Sequence, residues 1–105
     1  MRIRKPEQIS EEAQLIAAAS DALAHPLRVE LFKYIYKENM QRKAVCTKQL
    51  VEQFGYSQST ISQHMKKILI SGLVQTKREN NCTNYYVNLG ILGKYLNAVK
   101  KLNEN

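Results

Sequence analysis

The sequence holds two cysteines, two prolines and four glycines in 105 residues, and no apolar run near the ~18 residues that a membrane span needs. Two cysteines make at most one bridge, so Cys46 and Cys82 are not a secreted disulfide framework. No low-complexity stretch, internal repeat or linker divides the chain. Equally missing are a Gly-rich phosphate loop and a Ser or Cys nucleophile with a recognisable base beside it. The one adjacent carboxylate pair, Glu11-Glu12, points about 100° apart on a helix and cannot share a site. These absences remove the enzyme class, and no cofactor or metal is expected. The start Met1-Arg2-Ile3-Arg4-Lys5 is basic but meets Pro6, Glu7, Glu11 and Glu12 rather than an apolar segment, which is not a signal-peptide pattern. A cytoplasmic chain without membrane contact is the expectation, and the sequon Asn81-Cys82-Thr83 then reads as accidental.

Acid is also scarce, and its distribution is informative. Sixteen Lys and Arg face nine Asp and Glu, for a net charge of +7. Residues 42–78 carry Arg42, Lys43, Lys48, Lys66, Lys67, Lys77 and Arg78 against Glu52 alone, so nearly all the excess lies in the middle third. A single basic run is usually a solvated face. An imbalance on this scale points to a polyanion. With 44% hydrophobic and 24% charged residues, the chain reads as one globular domain spanning 1–105. Its size buries ~65% of the unfolded surface, enough for one core and not for a deep substrate cleft.

Spacing supplies the elements. Ile9, Ala13, Ile16, Ser20 and Leu23 step by four and three, which predicts an amphipathic helix over about 7–23. Pro26 suits the first turn of a second helix, about 26–38, with Leu27, Leu31, Tyr34 and Ile35 on one stripe and Val29, Phe32 and Tyr36 on another. Apolar on two faces, it belongs in the middle of the core. Residues 39–45 read as a loop. Thr47 is placed to cap a short third helix with Leu50, Val51 and Phe54, and Gly55 to end it. Ser57 caps a fourth helix that runs to about Ser71, with Ile61, Met65, Ile68 and Leu69 inward and Gly72 as its stop. The period then changes to two. Leu73–Arg78 and Thr83–Leu89 flank the polar tip Glu79-Asn80-Asn81-Cys82, a hairpin packed on one side. Asn88 caps a last helix, about 89–102, whose apolar face is Leu92, Tyr95, Leu96, Val99 and Leu102. The expected fold is mainly α with a small β-hairpin. It is a winged helix-turn-helix with the helix-turn-helix at about 47–71, the wing at about 73–89 and an extra helix at each end.

The fourth helix leaves Gln58, Ser59, Ser62, Gln63 and Lys66 on its outer face. Gln pairs bidentately with adenine, Ser serves either base edge, and Lys reaches guanine or phosphate. Thr60, His64 and Lys67 flank that face toward the backbone, the helix N-terminus at Ser57 anchors a phosphate, and Lys77 and Arg78 stand before the wing tip. The expected partner is therefore double-stranded DNA. An interaction module for an acidic protein partner is the alternative. The first and last helices carry apolar stripes that a body this small cannot cover. Ile9, Ala13, Ile16, Leu92, Tyr95, Leu96 and Val99 are thus expected to build a homodimer on a pseudo-palindromic operator.

Leu23-Ala24-His25-Pro26-Leu27-Arg28, Ser57-Gln58-Ser59-Thr60-Ile61-Ser62-Gln63-His64-Met65, Gly72-Leu73-Val74 and Tyr85-Tyr86 resemble an ArsR/SmtB-type bacterial repressor over about residues 10–100. The resemblance implies a homodimeric winged helix, repression relieved by an inducer that is often a metal ion, and DNA reading by Gln58, Ser59, Ser62 and Gln63. The family's metal positions are poorly matched. Ala44-Val45-Cys46 offers one thiol where two are expected, and the last helix has no His, Asp, Glu or Cys. His25 reads as a polar residue beside a helix start. Cys46 follows Arg42 and Lys43, a cationic setting of the kind reactive thiols occupy, and Cys82 lies near the wing tip. Both are candidate redox residues.

Overall fold

Local hydrogen bonds set the helix starts in the computed structural model, which describes residues 9–104. Ser10 Oγ accepts the Ala13 amide at 3.1 Å and caps α1 (Glu11–Ala22), whose first turn places Glu11 and Glu12 on the positive helix end. The helix therefore starts later than its spacing predicts. Ile9 precedes the cap instead of lying on the seam, and residues 7 and 8 fall outside the described residues.

His25 caps α2 (Pro26–Met40), its Nδ1 accepting the Leu27 amide at 3.0 Å. Leu31 and Ile35 are fully buried where α2 meets α4, β1 and β3. The second stripe is not: Val29 and Tyr36 are exposed and Phe32 half-buried. The expectation that α2 lies central in the core is thus corrected, because the body covers only one of its two apolar faces.

The segment read as a loop over 39–45 also differs. α2 continues to Met40, and Val45–Cys46 form a two-residue strand, β1, that pairs antiparallel with β3. Asn39 supports this join, accepting the Val87 amide at 2.9 Å and donating to the Lys43 carbonyl at 3.0 Å. Cys46 occupies the cap position of α3 (Thr47–Phe54) without a side-chain cap bond. Thr47 does not cap the helix as predicted, since its hydroxyl pairs with the Tyr85 hydroxyl at 2.9 Å.

Gly55 (φ 75°) ends α3 in the left-handed conformation, and Ser57 Oγ accepts the Thr60 amide at 3.1 Å to start α4 (Gln58–Ser71). Gly72 (φ 85°) stops α4. Strands β2 (Val74–Glu79) and β3 (Cys82–Val87) form the wing in a sheet of order β1-β3-β2. Glu79 pairs with Cys82, so the predicted four-residue tip narrows to Asn80-Asn81, both left-handed at φ 51° and 64°. Leu89 leaves the strand because Asn88 Oδ1 takes the Ile91 amide at 3.1 Å and begins α5 (Leu89–Lys100). A 3₁₀ turn, Lys101–Asn103, replaces the last predicted helical residues. Leu31, Ile35, Val45, Leu50, Ile61, Met65, Ile68, Leu73, Val74 and Tyr85 form one core, and the architecture is the expected winged helix-turn-helix.

Candidate nucleic-acid interface

Helix α4 is held by one face and free on the other. Ile61, Met65 and Ile68 are buried, while Gln58, Ser59, Ser62, Gln63, Lys66 and Lys67 are exposed. Ser57 sits at the N-terminus of the same helix, and its hydroxyl donates to Thr60 Oγ1 at 3.0 Å while accepting the Thr60 amide, so the two residues partly satisfy each other. Among the described residues no ion pair engages Lys48, Lys66 or Lys67.

His64 turns inward. Its Nδ1 lies 3.3 Å from Arg28 Nη1, and a guanidinium can only donate, so Nδ1 accepts and the ring is the neutral Nε2–H form. The His25 ring lies 4.7 Å away between centroids. Burial, then the charges of His25 and Arg28, hold His64 below the usual histidine range. Arg28 also donates from Nε to the Ala22 carbonyl at 2.8 Å and from Nη2 to the Asp21 carbonyl at 3.3 Å. One side chain thus ties the end of α1 and the start of α2 to α4. Sequence reasoning did not find this cluster, whose members are joined only by tertiary packing.

The wing presents Lys77 and Arg78 on adjacent, oppositely facing positions of β2, both exposed. Arg78 donates to Thr83 Oγ1 across the hairpin at 3.0 Å, and Lys77 lies 3.9 Å from Glu79. Hydrogen bonds from the Tyr86 hydroxyl (2.6 Å) and Asn84 (3.0 Å) hold the Glu79 carboxyl below its usual range, with Lys77 adding to them. The same bond raises the Tyr86 hydroxyl. Where α3, α4 and the wing meet, a depression of about 200 Å³ is lined by Cys46, Thr47, Lys48, Gln58, Arg78, Asn81, Cys82 and Thr83. It brings predicted Gln58 and Arg78 beside Lys48, whose only sequence signal was the basic segment. Cys46 is half-buried, Cys82 exposed, and neither is bridged. Among the described residues no cluster of three His, Cys, Asp or Glu side chains could hold a metal ion.

The predicted dimer residues divide. Leu92 and Tyr95 pack half-buried on the core and Ile16 is half-buried, whereas Ile9, Ala13, Leu96 and Val99 are exposed. Beside Leu92 and Leu96 runs an apolar groove of about 650 Å³ lined by Phe32, Tyr34, Tyr36 and Phe54. The exposed second stripe of α2 forms its wall, which the sequence had assigned to the core.

Residues 25–76 match the family model for bacterial regulatory proteins of the arsR family. The nodulation protein NolR of Rhizobium meliloti is 30% identical over 97 residues, covering 92% of this chain and 75% of that protein. The arsenical resistance operon repressor of Staphylococcus aureus is 34% identical over 59 residues, 56% of this chain and 57% of its own length. The crystal structure of NolR from Sinorhizobium fredii superposes over 98% of this chain and 97% of that one, with 28% identity and a TM-score of 0.66. A homodimeric winged helix-turn-helix DNA-binding domain from Mycobacterium bovis covers 100% of this chain and 94% of its own, with a TM-score of 0.69; at 15% identity that likeness shows the fold alone.

Proposed function

The chain belongs to the arsR family of bacterial regulatory proteins, and we propose that it is a homodimeric, sequence-specific repressor reading the major groove with α4 and gripping flanking phosphates with its wing. The observation that carries this reading is the division of α4, buried along Ile61, Met65 and Ile68 and open along Gln58, Ser59, Ser62, Gln63 and Lys66. The open row holds the donor and acceptor types that discriminate base edges. Lys77 and Arg78 on the wing, and Lys48 beside Gln58, supply the charge that positions the protein on a duplex without carrying sequence information. Repression is supported by the Staphylococcus relative, itself an operon repressor, and dimerisation by the homodimeric Mycobacterium neighbour.

Selection of bound fragments from random DNA tests the reading. Two half-sites roughly 10 bp apart, about 34 Å from centre to centre, are expected. A dimer placing about 3–4 cations per subunit on phosphates neutralises roughly 6–8, so log affinity falls with log salt at a slope near −5 to −7. Equal attraction to every duplex and to heparin, with no favoured site, overturns the proposal and leaves a module for an acidic partner.

A further inference from the structure

The sheet brings together two thiols that lie far apart in the chain. Cys46 on β1 stands opposite Asn84, and Cys82 lies two positions before Asn84 on β3, so both cysteines share one face of the sheet as diagonal neighbours. Both also line the depression that holds Lys48, Gln58 and Arg78. From this placement we propose that Cys46 and Cys82 form a dithiol oxidation site, which hydrogen peroxide closes into an intramolecular disulfide that lowers DNA affinity; the affinity loss rests on the DNA-binding reading above.

Exposed Cys82 meets the oxidant first and half-buried Cys46 resolves it. The Cys82 thiolate attacks one peroxide oxygen, the O–O bond breaks, and a sulfenic acid and water result once a proton is taken up. The Cys46 thiolate then attacks the sulfenic sulfur, an S–S bond forms as the S–O bond breaks, and the leaving hydroxide takes up a proton and departs as a second water. Two thiols are oxidised by two electrons and one hydrogen peroxide is reduced to two waters. Diagonal neighbours stand about 7–8 Å apart, and a bridge needs Cα atoms within about 6.8 Å, so the wing tip must close by about 1 Å. β1 ends at Cys46, so no ladder on that side holds β3 beyond Asn84 against this movement, and the β2–β3 hairpin would move as a unit. Closure ties the wing to the start of α3 and narrows the space between Lys48, Gln58 and Arg78, where a phosphate would lie.

Reduced protein is treated with hydrogen peroxide, digested without reductant and analysed by mass spectrometry, and its affinity for the selected operator is titrated before and after. A linked Cys46–Cys82 peptide within one chain is expected. Affinity should fall by about tenfold, the size of one lost charge-assisted contact, and return with dithiothreitol. Cys46→Ser and Cys82→Ser should each bind DNA when reduced and ignore peroxide; serine suits position 46, the cap of α3. Oxidised cysteines without the linked peptide, a bridge between two chains, or a linked protein of unaltered affinity overturn the proposal. A reduced protein with no favoured site overturns the DNA reading and with it the affinity loss, and the peptide still decides whether the oxidation site exists.

Discussion

Gln63 and His64 are neighbours on α4 in different surroundings. Gln63 is exposed, on the open row, and of a type that pairs bidentately with adenine. Gln63→Ala should cost ~1–3 kcal/mol on the selected operator and little on random DNA, read by titration; equal losses would remove it from base readout. His64 instead holds the helix to the body through Arg28. Because its folded pKa lies below the ordinary value, the unfolded chain binds more protons as the solution turns acid. The stability from neutral His64 is complete above about pH 6.5 and is lost as pH falls through that value toward the folded pKa. Denaturant midpoints should therefore drop between about pH 7.5 and about pH 5.5, and less steeply in His64→Gln, which cannot titrate. Equal slopes in both proteins would detach His64 from the acid sensitivity.

Elements were legible where local chemistry and period agree. α4 announces itself by Ser57 at the cap, four apolar residues at helical spacing and Gly72 at the left-handed stop, and the structure keeps all three. β1 was hidden because two residues have no period, and its reason to extend is distant: Val45 lies opposite Tyr85, forty positions further along the chain. The two apolar stripes of α2 were visible, but which one the body covers depends on how much body there is. The Arg28–His64–His25 contact was invisible for the same reason as β1, since packing alone brings its members together. The α3–α4 turn offers a test of a legible feature. Gly55 has φ 75°, and an added Cβ would meet nothing within 4 Å, so the cost of Gly55→Ala lies in the backbone alone. Equilibrium unfolding should show a loss of roughly 1–2 kcal/mol. An unchanged midpoint would mean that the turn relaxes without penalty.

At the scale of the whole molecule, one chain leaves apolar surface that it cannot cover. Leu89, Leu96, Val99 and Leu102 are exposed on and after α5, and the groove beside Leu92 and Leu96 is walled by Tyr36 and Phe54. An uncovered patch of this kind usually finds a partner, and two-fold pairing is the commonest closure. A dimer that reads two half-sites needs its two copies of α4 about 34 Å apart, the separation of successive major-groove faces on one side of a duplex. Leu96→Asp separates this interface from the fold. Leu96 is 56% exposed in the single chain, so a charge there costs the protomer little, whereas at a dimer face it buries an unpaired carboxylate. The variant should unfold at nearly the wild-type midpoint yet sediment as a monomer at micromolar concentration. Its operator binding should weaken because each half-site is then held independently. If Leu96→Asp still sediments as a dimer, this face is not the interface. If the wild-type chain is itself monomeric, reading of paired half-sites has no structural basis.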